Sequence, residues 1–330
     1  MLLSENIYAV NAETIRGTEG FPLWKREADA SLQASISKSG QLAPVLVEKR
    51  ENELYLIAGF RRLQAVLSDE SSKNQILVRE VSFAHTMDGD EKSEGLKERG
   101  LAYLDENFGT ALTETMKVEA FRFFQPLGHN GFLRDEVASR LGIPTKGKEL
   151  KLLLAWMALP VDFDSYLAAG NVPLAAAKLL QGRADEEFAV LRKYFADMQW
   201  SRSNAVNFLT WTIETTLRDA KSLTEVLDER FDKVMKSGLS PKDTITRLVR
   251  LARDVRMPNL QELEAEAANL CSDLAVKPWA VVVPPNFENS AVELSVRIRS
   301  EKELEKAIKA FEEMRESKVW PRFFTLGGRS

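Results

Sequence analysis

Apolar residues in the first 85 positions gather into short runs separated by polar turns. Val45-Leu46-Val47, reached through Gly40-Gln41-Leu42-Ala43-Pro44, reads as a strand, Glu51-Asn52 as a turn, and Leu54-Tyr55-Leu56-Ile57-Ala58 as a second strand. Ile76 to Phe83 closes this region with another strand pattern. Asp88-Gly89-Asp90-Glu91-Lys92-Ser93-Glu94-Gly95 is polar throughout and predicts an exposed loop. From about 96 to 275 the apolar spacing changes to three and four, the period of a helix. Pro126, Pro144, Pro160, Pro173, Pro241 and Pro258 cut that region into short helices. Near Lys277 the texture reverts: Trp279 to Val283 reads as a strand, Pro284-Pro285-Asn286 as a turn, and Ala291 to Ile298 alternates with period two. Ser300 then stands as N-cap of a helix with Glu303 at the third position of a capping box. The pattern predicts an α+β multidomain chain in three parts: an α/β domain over 1–125, a helical region over 126–275, and a small α/β unit over 276–330.

Composition narrows the class. A chain of 330 residues with 44% apolar content can bury two or three cores. Its net charge of −4 excludes a uniformly basic nucleic-acid coat but not a local basic face. One cysteine, Cys271, excludes a disulfide framework and a cysteine-rich zinc site, and reads as a buried helix residue. No apolar run reaches 18 residues and Met1 to Asn6 has no basic start, so the expected compartment is the cytoplasm, with no membrane partner.

Candidate chemistry concentrates at Gly59-Phe60-Arg61-Arg62, between the second strand and the helical run Leu63 to Leu67. Glycine lets a ligand approach the backbone, a helix start offers free N–H groups, and arginine pairs with phosphate oxygens. Farther on, Asp135 to Ile143 has the form of the first helix and turn of a helix-turn-helix: Ala138 permits close crossing, Gly142 the left-handed turn, and Ile143 plugs the core. The second helix, Lys148 to Leu159, stops at Pro160 and is largely apolar. Over 129–160 there are five Lys or Arg against three acids, a balance of +2 suited to phosphate contact. An ordinary helical hairpin is the other reading of this segment.

Taken together, these pieces resemble the ParB family of partition proteins. Gly40 to Val45 resembles the family's first box. Gly59-Phe60-Arg61-Arg62-Leu63-Gln64-Ala65 is similar to its Gly-Glu-Arg-Arg-x-x-Ala signature, and Glu106-Asn107 with Leu112, Glu119 and Ala120 to its third box. Val137 to Pro160 resembles the helix-turn-helix, Gly170 to Leu180 the segment after it, and Val292 to Phe311 the C-terminal dimerisation element. The resemblance implies a ParB/sulfiredoxin-like N-terminal domain in a CTP- and magnesium-dependent DNA clamp. A sulfiredoxin-type reductase is excluded, because it needs a cysteine beside the arginine and Gly59-Phe60-Arg61 has none. By matching position, Gln41, Gly59, Arg61, Arg62 and Asn107 would bind nucleotide, Asn107 would hold magnesium, and Glu106 would lie beside the phosphates as the catalytic carboxylate of a weak CTPase. Arg134, Lys146, Lys148 and Lys151 would meet double-stranded DNA. The partners implied are DNA, a second copy of the chain, and a partition ATPase, although Met1 to Tyr8 carries only Glu5 where the family's ATPase-binding tail is basic.

The sequence departs from the family pattern at four places: Phe60 replaces glutamate, Thr110 stands where the third box carries arginine, one extra residue separates Glu106-Asn107 from Glu119-Ala120, and the turn Ile143 to Gly147 is longer. A DNA-binding regulator or scaffold without nucleotide hydrolysis therefore stays open, as does a non-DNA interaction module. His85 and His129 lack a second ligand at metal spacing, and the aromatic runs Phe121 to Phe124 and Trp320 to Phe324 read as packing.

Overall fold

The fold is that of a computed structural model, which describes residues 1–17, 23–24, 28–68, 74–282 and 292–325. Val283, Pro284-Pro285-Asn286 and Ala291, assigned above to a strand and a turn, lie outside them. The chain divides into two compact units, Met1–Val206 and Asn207–Ser330. The boundary expected near 125 falls inside the first unit and the one near 275 inside the second.

The first unit opens with a five-stranded mixed sheet. Its strands are β1 (Leu2–Asn11), β2 (Ile15–Arg16), β3 (Val45–Arg50), β4 (Glu53–Ala58) and β5 (Gln75–Ser82), in the order β1-β5-β3-β4-β2. β3 and β4 form an antiparallel hairpin in which Arg50 faces Glu53. Glu51 takes φ +53 to close the turn. Helices α1 (Ala30–Ser39) and α2 (Phe60–Leu67) flank β3 and β4 in sequence. Val45, Val47, Leu56, Ile76 and Val78 pack with Leu63 and Val66 of α2 into one core. Side chains alternate across a strand, so Glu48 belongs to the face opposite Val45 and Val47. There it meets α3 (Lys92–Glu106).

The loop expected over 88–95 is a correction to the sequence reading, since α3 begins inside it. Glu94 lies in the first turn of α3 and Asp90 and Glu91 just before it. Carboxylates there favour the positive end of the helix dipole, which outweighs the lack of apolar periodicity.

A helical layer completes the unit. It comprises α4 (Glu114–Phe124), α5 (Asn130–Phe132), a π-helical turn (Leu133–Val137), α6 (Ala138–Arg140), α7 (Lys148–Trp156), α8 (Phe163–Ala168), α9 (Ala177–Leu180), α10 (Asp185–Phe195) and the start of α11 (Arg202–Asp219). Phe121 and Phe124 are fully buried, the packing role expected of that run.

The second unit holds the rest of α11, then α12 (Leu223–Val226), α13 (Glu229–Met235), α14 (Pro241–Arg256) and α15 (Pro258–Leu274). A two-stranded antiparallel sheet follows, β6 (Ala280–Val282) with β7 (Glu293–Ser295), and finally α16 (Glu301–Arg315) and α17 (Trp320–Thr325). Ser300 caps α16 by accepting from the Glu303 N–H at 3.3 Å. Glu303 accepts in turn from the Arg299 N–H at 2.7 Å, one residue before the position a capping box uses. Phe323 is buried against Ala267, Leu270 and Leu274, while Cys271 is only partly buried and its thiol is pushed up by that burial. Among the described residues no helix is long and apolar enough to cross a membrane.

Candidate functional site

The turn from β4 into α2 depends on Gly59. Its φ of +101 lies in the region that disfavours side chains, and a Cβ there would stand 2.6 Å from Val45 Cγ1. The chain can therefore pass from strand to helix against β3 without a side chain in between. A cavity of about 370 Å³ opens beside this turn, lined by Gly59, Phe60, Arg61, Arg62, Asn107 and Thr110 among others. The sequence-predicted Gly59, Arg61, Arg62 and Asn107 thus share one cavity.

Arg62 is braced on three sides. It donates to the Pro44 carbonyl at 2.7 Å and to the Ala43 carbonyl at 3.3 Å through Nη1, and to Glu106 Oε1 at 2.6 Å through Nη2. Glu106, the last residue of α3, is thereby the counter-ion of Arg62. Asn107 ends α3 by donating Nδ2 to the Tyr103 carbonyl at 2.8 Å, which leaves its side-chain oxygen as the available ligand. Arg61 donates Nη2 to Asp29, the N-cap of α1, whose carboxylate also accepts the Leu32 N–H at 2.8 Å. The Leu32 N–H, the Ser31 hydroxyl and, to a smaller degree, Arg61 hold the Asp29 carboxyl below the usual carboxylate range. Arg61 Nε is buried with no hydrogen-bond partner among the described residues.

Gln41 is placed elsewhere. Its amide donates to the carbonyls of Ala43 and Leu77, and its oxygen accepts the Leu77 N–H at 2.6 Å. It pins the Gly40–Pro44 loop to β5 and is not among the residues lining the cavity.

Residues 2–88, which carry the sheet, α1 and α2, match the ParB N-terminal domain family model. This part of the chain is similar to ParB N-terminal domains. Two solved structures of the chromosome-partitioning protein ParB from Caulobacter crescentus, C-terminally truncated, are similar to the chain. The one complexed to the centromeric parS site shares 14% identity, covers 74% of this chain and 99% of its own, and has a TM-score of 0.38. The one complexed with CTP-gamma-S shares 19% identity, covers 58% and 99%, and has a TM-score of 0.24. No curated protein matches the chain.

Beyond the matched residues, positions 130–156 form two helical segments on either side of the turn at Gly142. Gly142 takes φ +68, and Ala138 and Ile143 are buried, each in the role read from the sequence. Lys146, Lys148 and Lys151 are all exposed. Arg134 is exposed but folded onto its neighbour Asp135 at 2.7 Å. Glu149 is held by Lys117 of α4 at 2.6 Å. Arg140 of α6 pairs with Asp105 at 2.9 Å, one residue before Glu106, and with Glu136 at 2.7 Å. The first of these segments is therefore fastened to the end of α3 that borders the cavity.

Two lining residues, Trp24 and Tyr103, and Asp29, the partner of Arg61, went unread in the sequence. Trp24 is buried, donates Nε1 to the Met116 carbonyl at 2.9 Å, and meets the Tyr103 ring edge-on. Asp29 before Ala30-Ser31-Leu32 carries an N-cap signal that was there to find, but nothing local links it to Arg61. Tyr103 sits in a helix with ordinary spacing and gave no cue.

Proposed function

We propose that this chain binds a nucleotide triphosphate, CTP, with magnesium in the cavity beside Gly59, and binds double-stranded DNA through the helices around Gly142. The single observation that carries the nucleotide reading is the convergence of Gly59, Arg61 and Arg62 with Asn107 on one cavity. Its volume falls in the roughly 300–1,000 Å³ range of small-molecule sites. The family of residues 2–88 supports it. Arg61 and Arg62 would face phosphate oxygens, and the first turn of α2 would add its N–H groups. Magnesium takes oxygen ligands and bridges phosphates, so the Asn107 oxygen and the Glu106 carboxylate fit it as a donor set. Gln41 supports the loop rather than the ligand. With Phe60 and Thr110 in place, hydrolysis by Glu106 would be weak at most.

Lys146, Lys148 and Lys151, with Arg134 once it leaves Asp135, would contact DNA phosphates. Self-association has its own support: Leu304, Ile308 and Phe311 stand on one face of α16 and are 40–52% exposed. Such a stripe on a surface helix suits a second copy. A partition ATPase and a cytoplasmic, nucleoid-bound location complete the proposal by family resemblance alone. The expected result is calorimetric binding of CTP with magnesium, alone or with DNA. No heat under either condition would remove the nucleotide. A DNA shift that weakens with salt tests the second half.

One observation favours a second reading. Both arginines are already ion-paired, as they would be in a DNA-binding scaffold that has given up nucleotide chemistry.

A further inference from the structure

Two ion pairs stand beside the cavity among the described residues, and their charges cancel. Arg61 and Arg62 supply two positive charges, and Asp29 and Glu106 supply two negative ones, each seated on its own arginine. A polyphosphate meets no net positive charge on these two pairs. It must displace a carboxylate or bring a cation to neutralise one. The two carboxylates are not equivalent. Glu106 adjoins Asn107 and Arg62 keeps its two carbonyl partners, so a magnesium ion could take over Glu106 without undoing the site. Asp29 has no such neighbour at the cavity. It caps α1, its other side-chain partners are the Leu32 N–H and the Ser31 hydroxyl, and its only cation among the described residues is Arg61. Arg61 itself is underused, with a buried Nε that donates to nothing among the described residues.

We propose that Asp29 is an internal competitor for Arg61: its carboxylate occupies the guanidinium that phosphate would take, and phosphate binding requires their separation. This rests on the nucleotide reading of the cavity and adds what holds the site closed to anions. Asp29 remains the cap of α1 after Arg61 leaves, because its bonds to Leu32 and Ser31 do not involve the arginine. The exchange therefore costs one exposed ion pair rather than a helix. Asp29 is a specificity element: it sets a threshold that a lone anion does not cross and a multiply charged phosphate does.

The test is Asp29→Asn in the full chain, since asparagine caps a helix as well as aspartate does while carrying no charge. Wild type, Asp29→Asn and the double variant Asp29→Asn/Arg61→Ala are titrated calorimetrically with magnesium-CTP and with sodium tripolyphosphate. Unchanged thermal melting would establish that α1 is intact. The expected result is roughly two- to fivefold tighter binding by Asp29→Asn, the span an exposed ion pair is worth, and loss of that gain in the double variant. Binding by Asp29→Asn where wild type shows none would support the competitor more strongly still. Equal or weaker binding by Asp29→Asn would mean that Asp29 is neutral or orients Arg61, and would overturn the inference while leaving the nucleotide site standing. A gain that survives Arg61→Ala overturns it too. Silence from all three proteins with both ligands would remove the nucleotide site along with its competitor.

Discussion

Arg99 of α3 and Glu48 of β3 form an ion pair beneath the sheet, Arg99 at 2% exposure and Glu48 at 8%. Arg99 Nε donates to Glu48 Oε2 at 2.9 Å, while Nη1 donates to the carbonyls of Gly95 and His85 at 2.8 and 3.0 Å. Arg50 reaches the same carboxylate at 2.6 Å. The pair fastens α3 to the sheet, and α3 ends at Glu106 and Asn107. A buried guanidinium thus sets where the cavity's carboxylate and amide stand. Close packing at this corner also explains Gly95, where a Cβ would lie 2.0 Å from the Thr86 carbonyl oxygen and 2.9 Å from Arg99 Nη1.

Glu48→Gln leaves Arg99 charged in a dry environment and is expected to destabilise the protein by about 3–5 kcal/mol, while Arg99→Met leaves Glu48 its pair with Arg50 and should cost less. The double variant should recover part of that loss, because neither charge is then stranded. Urea unfolding of the three variants checks both statements, and simple additivity would mean that the pair is not coupled.

Gly59→Ala tests the strand-to-helix turn. Both the positive φ and the approach to Val45 oppose a methyl group, and Val45 is fully buried and cannot retreat. A loss of about 1–3 kcal/mol is expected from backbone strain alone. A melting temperature equal to that of wild type would show that the turn relaxes without cost.

Arg140 links the cavity's rim to the helices around Gly142 through Asp105, and pairs with Glu136 on its own segment. Arg140→Ala is expected to leave CTP affinity and DNA affinity, measured separately, within about twofold, since this half-exposed pair touches neither ligand. The effect of one ligand on the other should fall toward none. Calorimetric titration of CTP with and without DNA reads that coupling, which is reciprocal between the two sites. Undiminished coupling would place the connection elsewhere.

The logarithm of DNA affinity should fall linearly with the logarithm of salt. Lys146→Ala, Lys148→Ala and Lys151→Ala should each reduce the slope by about 0.9 if each meets one phosphate. Fluorescence anisotropy on a labelled duplex at several salt concentrations reads the slope. An unchanged slope removes that lysine from the interface.

The strands β3, β4 and β5 and the helix pair around Gly142 were legible because each carries its own period and its own turn residues. β1 was not. Leu2, Leu3, Ile7 and Tyr8 of this edge strand are exposed, so it lacks the buried, alternating face that marks a strand in sequence. Of the cavity, Gly59, Arg61 and Arg62 were legible because they are contiguous, and Glu106 and Asn107 through the family's third box. The ion pairs were not, because Asp29 lies 32 residues before Arg61 and Glu106 lies 44 after Arg62, and such pairings exist only in the folded chain. Gln41 was read as a ligand because its box is shared with the family, yet its three hydrogen bonds go to the loop and to β5.

Tyr8 gives a pH signature for that edge strand. Its hydroxyl donates to Glu80 on β5, and partial burial, reinforced by that carboxylate, pushes its pKa up to about 12. The neutral phenol is the form the folded protein favours, so the contribution of Tyr8 to stability is complete below the usual tyrosine value near 10. It is lost as the pH rises from there through about 12. Ultraviolet difference titration should show a phenolate component with a midpoint near 12 that Tyr8→Phe abolishes and Glu80→Gln moves downward. The stability difference between wild type and Tyr8→Phe should be flat at neutral pH and shrink only in that alkaline window. A titration in which Tyr8→Phe removes a component near 10 instead would mean that β1 does not hold its tyrosine against Glu80.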